Sequence, residues 1–239
     1  MANRAKTSRP HATITGHRAY GDAVVARARA ADFPKDLRGA VRDFAAVHAR
    51  FETSSVTAEN ARAARDAALH AVALADAALD ARVLVLADTM VAARLGTRIK
   101  PFAAFSKHSP SALTDLAYAD EVREVLALVA KLSSTKDRSV AAARRECEKA
   151  AAVVKKALGE LTAPQSAYTK ALGARDELLL GWTKALKKLE RRAAVTFEDH
   201  PAALRALLAA PDGVQVRTRR REPKKASATA PAAPTAPRS

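Results

Sequence analysis

Apolar residues recur in alternating steps of three and four along two stretches of this 239-residue chain, a spacing that only helices packed along their length can use. The first run is Leu69, Val72, Asp76, Leu79, Val83, Leu86, Met90 and Ala93, with Asp76 as its one acidic interruption. The second is Val140, Ala143, Cys147, Ala150, Val154, Ala157 and Leu161. It resumes after Pro164 as Tyr168, Ala171, Arg175, Leu178, Trp182, Ala185 and Leu189. Composition supports the same reading. The chain holds 60 alanines but only 8 glycines, and alanine is the strongest helix former because it loses no side-chain entropy. Alanine also buries little apolar area, roughly a third to a half of what leucine offers. A core of this kind must come from close, extended helix contacts.

Local signals divide the chain. Residues 1–17 lack periodicity and read as a basic arm. A helix is expected from about Tyr20 to Ala31, ended by Phe33-Pro34 because the residue before proline is pushed out of the helical region. Pro34 suits the first turn of the next helix, which runs to about Glu52. Thr53-Ser54-Ser55 reads as a break, with Ser55 or Thr57 capping a helix that ends at Leu95 and is stopped by Gly96. Ser109-Pro110 opens a short helix to Ala117, and another runs from about Ala119 to Leu132. Ser133-Ser134-Thr135 breaks it, with Thr135 as the following cap. The long stretch beyond keeps its phase through Pro164, which predicts a kink or brief interruption rather than a reversal. Asp199-His200-Pro201 opens a last short helix to about Ala209.

Three short segments recur in the same order. Tyr20-Gly21-Asp22-Ala23-Val24 echoes Tyr118-Ala119-Asp120-Glu121-Val122, and Ala78-Leu79-Asp80-Ala81-Arg82 echoes Ala171-Leu172-Gly173-Ala174-Arg175. Phe105 to Leu113 echoes Phe197 to Leu204. The expected fold is all-α: an elongated, antiparallel, coiled-coil-like helical bundle of two tandem related halves. Its divisions are a disordered basic arm (1–17), a first helical repeat (18–117), a second (118–212) and a disordered basic Ala/Pro-rich tail (213–239).

The segment Leu95 to Tyr118, with Phe105, His108, Ser109, Pro110, Leu113, Asp115 and Leu116, resembles an uncharacterised group of Ala-rich helical proteins from high-GC bacteria. In that group a long helix ends at a small-residue turn, followed by an aspartate-serine-proline-like cap and a short helix ending in glycine. The arm from His11 to Tyr20 is similar in style. Here Lys107-His108 replaces the acid before Ser109, and Ala117 stands where glycine is expected. The resemblance covers about the middle third of the chain and implies no activity.

The net charge is +16, and ten of those charges sit on the ends: +4 over residues 1–19 and +6 over 213–239. The run Arg217, Arg219, Arg220, Arg221, Lys224 and Lys225 has the composition of a tail that neutralises phosphates without reading sequence. No aromatic residue is interleaved for base stacking, and a merely solvating tail is the alternative. The polar N-terminus offers no secretory signal, no apolar run is long enough for a membrane span, and the single Cys147 fits a reducing, cytoplasmic setting.

No catalytic, cofactor or metal site is read from the sequence. There is no GxSxG, GxxxxGK[ST], HExxH or GxGxxG pattern. Asp66 with His70, and His48 with Glu52, share helix faces but lack the Glu-x-x-His spacing of a di-iron bundle. Cys147 is expected as a small buried hydrophobe, His108 and His200 as turn-bonding groups, and Trp182 and Tyr168 as core or interface anchors. Asp76 and Arg175 sit on opposing seams and either pair across the bundle or stay exposed. The expectation is a non-enzymatic structural or interaction protein, associating with itself or a protein partner through helical seams. Sequence-independent nucleic-acid binding by the tail is the alternative, and an enzyme a remote one.

Overall fold

The computed structural model describes residues 13–31 and 33–211, and the charged run from Arg217 to Lys225 lies outside them. Six α-helices follow in order: α1 (Ile14–Ala30), α2 (Lys35–Ala92), α3 (Pro110–Thr114), α4 (Tyr118–Lys131), α5 (Arg138–Thr196) and α6 (Pro201–Leu207). A 3-10 turn, Leu132–Ser134, joins α4 to α5. No strand occurs among the described residues, so the protein is all-α. The order short, long, short occurs twice, with 17, 58 and 5 residues and then 14, 59 and 7.

Several boundaries differ from the sequence expectation, each for a local reason. The helix expected from Tyr20 begins at Ile14, inside the expected arm, because the Thr13 side chain accepts the Gly16 N–H at 3.1 Å and caps the first turn. The break expected at Thr53-Ser54-Ser55 is absent, and α2 runs through it. Thr53, Ser55 and Thr57 donate their hydroxyls back to the carbonyls of Ala49, Phe51 and Thr53 at 3.0, 2.8 and 2.9 Å. Their polar groups are thus satisfied inside the helix instead of competing with it. Asp137, not Thr135, caps α5, its Oδ1 accepting from the N–H groups of Ser139 and Val140 at 2.9 Å. Pro164 lies within a continuous α5.

The end of α2 also departs from the glycine stop. Arg94 takes the left-handed conformation, φ 59°, while the Leu95 N–H reaches the Met90 carbonyl at 2.9 Å and the Arg94 N–H reaches Val91 at 3.0 Å. That is a Schellman cap completed two residues early. Gly96 is needed for a different reason: a Cβ there would fall 2.1 Å from the Pro101 carbonyl oxygen.

The chain forms two compact units, one of residues up to Ala45 together with those from Lys187, the other of Ala46–Leu186. In the first, α1, the start of α2, the end of α5 and α6 bury Tyr20, Val24, Leu37, Phe44, Leu189 and Leu207. Phe33 meets Phe197 edge-on at 5.8 Å, and Lys188 donates to Asp43 at 2.9 Å. In the second, Leu79, Val83, Leu86 and Met90 of α2 pack with Val122, Val125 and Leu128 of α4 and with Val140, Cys147 and Val154 of α5. The long helices are antiparallel there, since Phe51 stacks near Trp182 while Arg65 lies over Tyr168.

Burial on the long helices repeats at a fixed spacing. Leu37, Phe44, Phe51, Leu79, Val83, Leu86 and Met90 are buried, and so are Val140, Cys147, Val154, Trp182, Leu186, Leu189 and Ala193, each 103 positions further on. The short helices follow at 101: Tyr20, Gly21, Val24 and Ala28 on α1 against Glu121, Val122, Val125 and Val129 on α4.

Candidate functional site

Three carboxylates converge beside the core of the second unit. Asp76 and Asp80 lie one turn apart on α2, so they share a face, and Glu121 enters from the first turn of α4. One ligand oxygen from each lies within 4.8 Å of the others. Glu121 has 0% exposure, and the two aspartates are half-buried. Both Glu121 oxygens, Asp76 Oδ1 and Asp80 Oδ1 are buried without a hydrogen-bond partner.

This is an unusual concentration of unmet polarity, because nearly every buried polar atom in a folded protein finds a partner. Burial, with Asp76 and Asp80 close by, pushes the Glu121 carboxyl up to about 9. Burial also raises Asp80, opposed by its contact with Glu121 and reinforced by the charges of Asp76 and Asp115. The positive N-terminal end of α4 favours an acid in its first turn, but no cationic side chain contributes to the shift of either group. Chemically the trio can share protons or bind a cation.

The other sequence candidates fall elsewhere. Asp76 does not pair with Arg175, which instead holds Asp176 at 2.7 Å. Asp66 is held by Arg65 and Arg62 rather than joined to His70 in a ligand pair. The expected anchor Trp182 is buried and donates its indole N–H to His48 Nδ1 at 3.1 Å, which fixes that ring nitrogen as an acceptor. Tyr168 is only half-buried, its ring 4.4 Å below the Arg65 guanidinium. Cys147 is a buried free thiol pushed up to about 12 chiefly by burial, hence a packing group at neutral pH. The His108 backbone N–H donates to the Ser106 hydroxyl, while its imidazole Nε2 lies 3.9 Å from Glu124, and His200 is the N-cap residue of α6 without a side-chain cap bond.

Sequence reasoning noted Asp76 as a seam interruption but did not bring out the trio. A signal was present: Glu121 lies four residues before Val125, on the buried stripe of α4, so two core-facing stripes each carry an acid. No helix among the described residues is long and apolar enough to cross a membrane. No protein-family model, curated protein or solved structure matches the chain.

Proposed function

We propose that the protein is a non-enzymatic helical interaction protein that pairs with a second copy of itself through the middle of α2 and α5. The observation behind this reading is an uncovered stretch: no side chain is buried on α2 between Ala58 and Val72, or on α5 between Ala157 and Trp182. Within or beside it, Leu74 is 60% and Leu180 68% exposed. Gly159 and Gly173 lie on the exposed side of α5, and nothing stands within 4 Å of where a Cβ would be. A glycine inside a helix costs about 1 kcal/mol relative to alanine. Packing within the chain does not demand that cost, whereas close approach of another helix would.

Charge favours a second copy as the occupant. Residues 59–71 hold two acids and two bases, and residues 158–181 three acids and two bases, in a chain of net +16. This nearly neutral face lets like chains meet without the repulsion of their basic ends. The 103-residue burial spacing supports two related halves, with the coiled-coil-like seam repeated in each.

Light scattering with cross-linking tests the pairing. The wild type is expected to be a dimer at micromolar concentration. The double variant Gly173→Arg, Leu180→Arg, altered only at exposed positions, should be a helical monomer. A wild type that stays monomeric throughout overturns the reading. The charged run favours the alternative reading, sequence-independent nucleic-acid binding by the tail. Removing residues 214–239 should then weaken duplex binding at low salt and flatten its salt dependence.

A further inference from the structure

We infer that Asp76, Asp80 and Glu121 form a binding site for one hard divalent cation. The argument begins with the orphaned glutamate. A fully buried carboxyl with two unpartnered oxygens, aimed at two further carboxyls, lacks any protein donor that could neutralise it. Such a group must be protonated or paired with a cation.

The donor set selects the ion. Every converging atom is a carboxylate oxygen, the chemistry of calcium, magnesium and manganese rather than of zinc or copper. Three oxygens within 4.8 Å of one another are close enough for one ion to be reached by all three side chains. Three side chains leave coordination positions to be filled by their second carboxylate oxygens or by water.

The site is independent of the central face proposed for self-association. Its stoichiometry is counted per chain, so a monomeric protein would leave this inference standing. The test uses full-length protein stripped with chelator and titrated with Mn2+ alone, then with Ca2+ alone as competitor. Equilibrium dialysis and the loss of the free-Mn2+ paramagnetic signal should give one ion per chain, displaced by Ca2+. Glu121→Gln keeps the shape, can donate an amide hydrogen to the aspartates, and should abolish retention. Asp76→Asn, at a half-buried position, is the companion variant should the first fail to fold, and should weaken binding at least tenfold. No ion retained by the wild type at millimolar Mn2+, or equal retention by either folded variant, overturns the inference.

Discussion

Tyr20 and Glu121 hold corresponding places on the short helices of the two units, each with 0% exposure, and their surroundings differ completely. The Tyr20 hydroxyl donates to the Leu208 carbonyl at 3.1 Å, and Arg27 donates to the neighbouring Ala209 carbonyl. Burial pushes the phenol up to about 12, with Glu190 adding and Arg27 opposing, so it remains a neutral donor. Glu121 instead faces two carboxylates and no donor. The shared burial pattern demands a large side chain at that place but not three acids. The first unit resolves its buried polar group within the fold. The second leaves it to a proton or an ion.

The largest test of the comparison uses two leucines. Leu86 and Leu189, 103 positions apart, are both 0% exposed, one in each unit. Replacing either by alanine should cost about 2–5 kcal/mol from lost transfer energy and the cavity left behind. If the units are built alike, the two losses, read by urea unfolding, should agree to within about 1 kcal/mol. A gap of twice that would show that the repeated burial pattern hides different packing.

The pH dependence separates the units next. In the unfolded chain Glu121 titrates near 4.5, and in the folded chain near 9. Between those values the folded state keeps a proton that the unfolded state has lost. This contribution to stability is therefore complete below about 4.5 and disappears as pH rises through about 9. In metal-free buffer the wild type should lose up to about 1.4 kcal/mol per pH unit across that window. Glu121→Gln should flatten the curve. A wild-type profile already flat from about pH 5 to about pH 9 would remove the distinction between the two units.

Tyr20→Phe is the smaller counterpart in the first unit. It removes the donor to Leu208 without changing ring volume, and should cost about 1–2 kcal/mol independent of pH below 9. A pH-dependent loss would mean that Tyr20 takes part in a titrating group of its own.

The helical architecture was legible in the sequence where burial is periodic. Leu79, Val83, Leu86 and Met90 announce their face by spacing alone, and all four are buried. The carboxylate trio was much less legible, because Asp76 and Glu121 are brought together by α2–α4 packing across a wide sequence gap and local pattern carries no record of it. The recurring motifs at offsets of 92 to 98 likewise did not reveal the burial spacing of 103, since alanine-rich segments match at many registers.

The smallest expected effect lies where the sequence misled, at Ser55. Its hydroxyl is buried and donates to the Phe51 carbonyl, which also lies four residues back in the helical ladder. Removing the hydroxyl therefore leaves no buried donor stranded and no carbonyl without its backbone partner. Alanine is the better helix former, by a few tenths of a kcal/mol, and this offsets the lost hydrogen bond. Ser55→Ala should change the unfolding free energy by no more than about 0.5 kcal/mol and leave α2 continuous by amide hydrogen exchange. Ser55→Pro, which removes a ladder bond and crowds the Phe51 carbonyl, should cost about 3 kcal/mol or more. A large loss with alanine would mean that the serine holds the helix through this point, and that the break signalled by Thr53-Ser54-Ser55 is latent rather than absent.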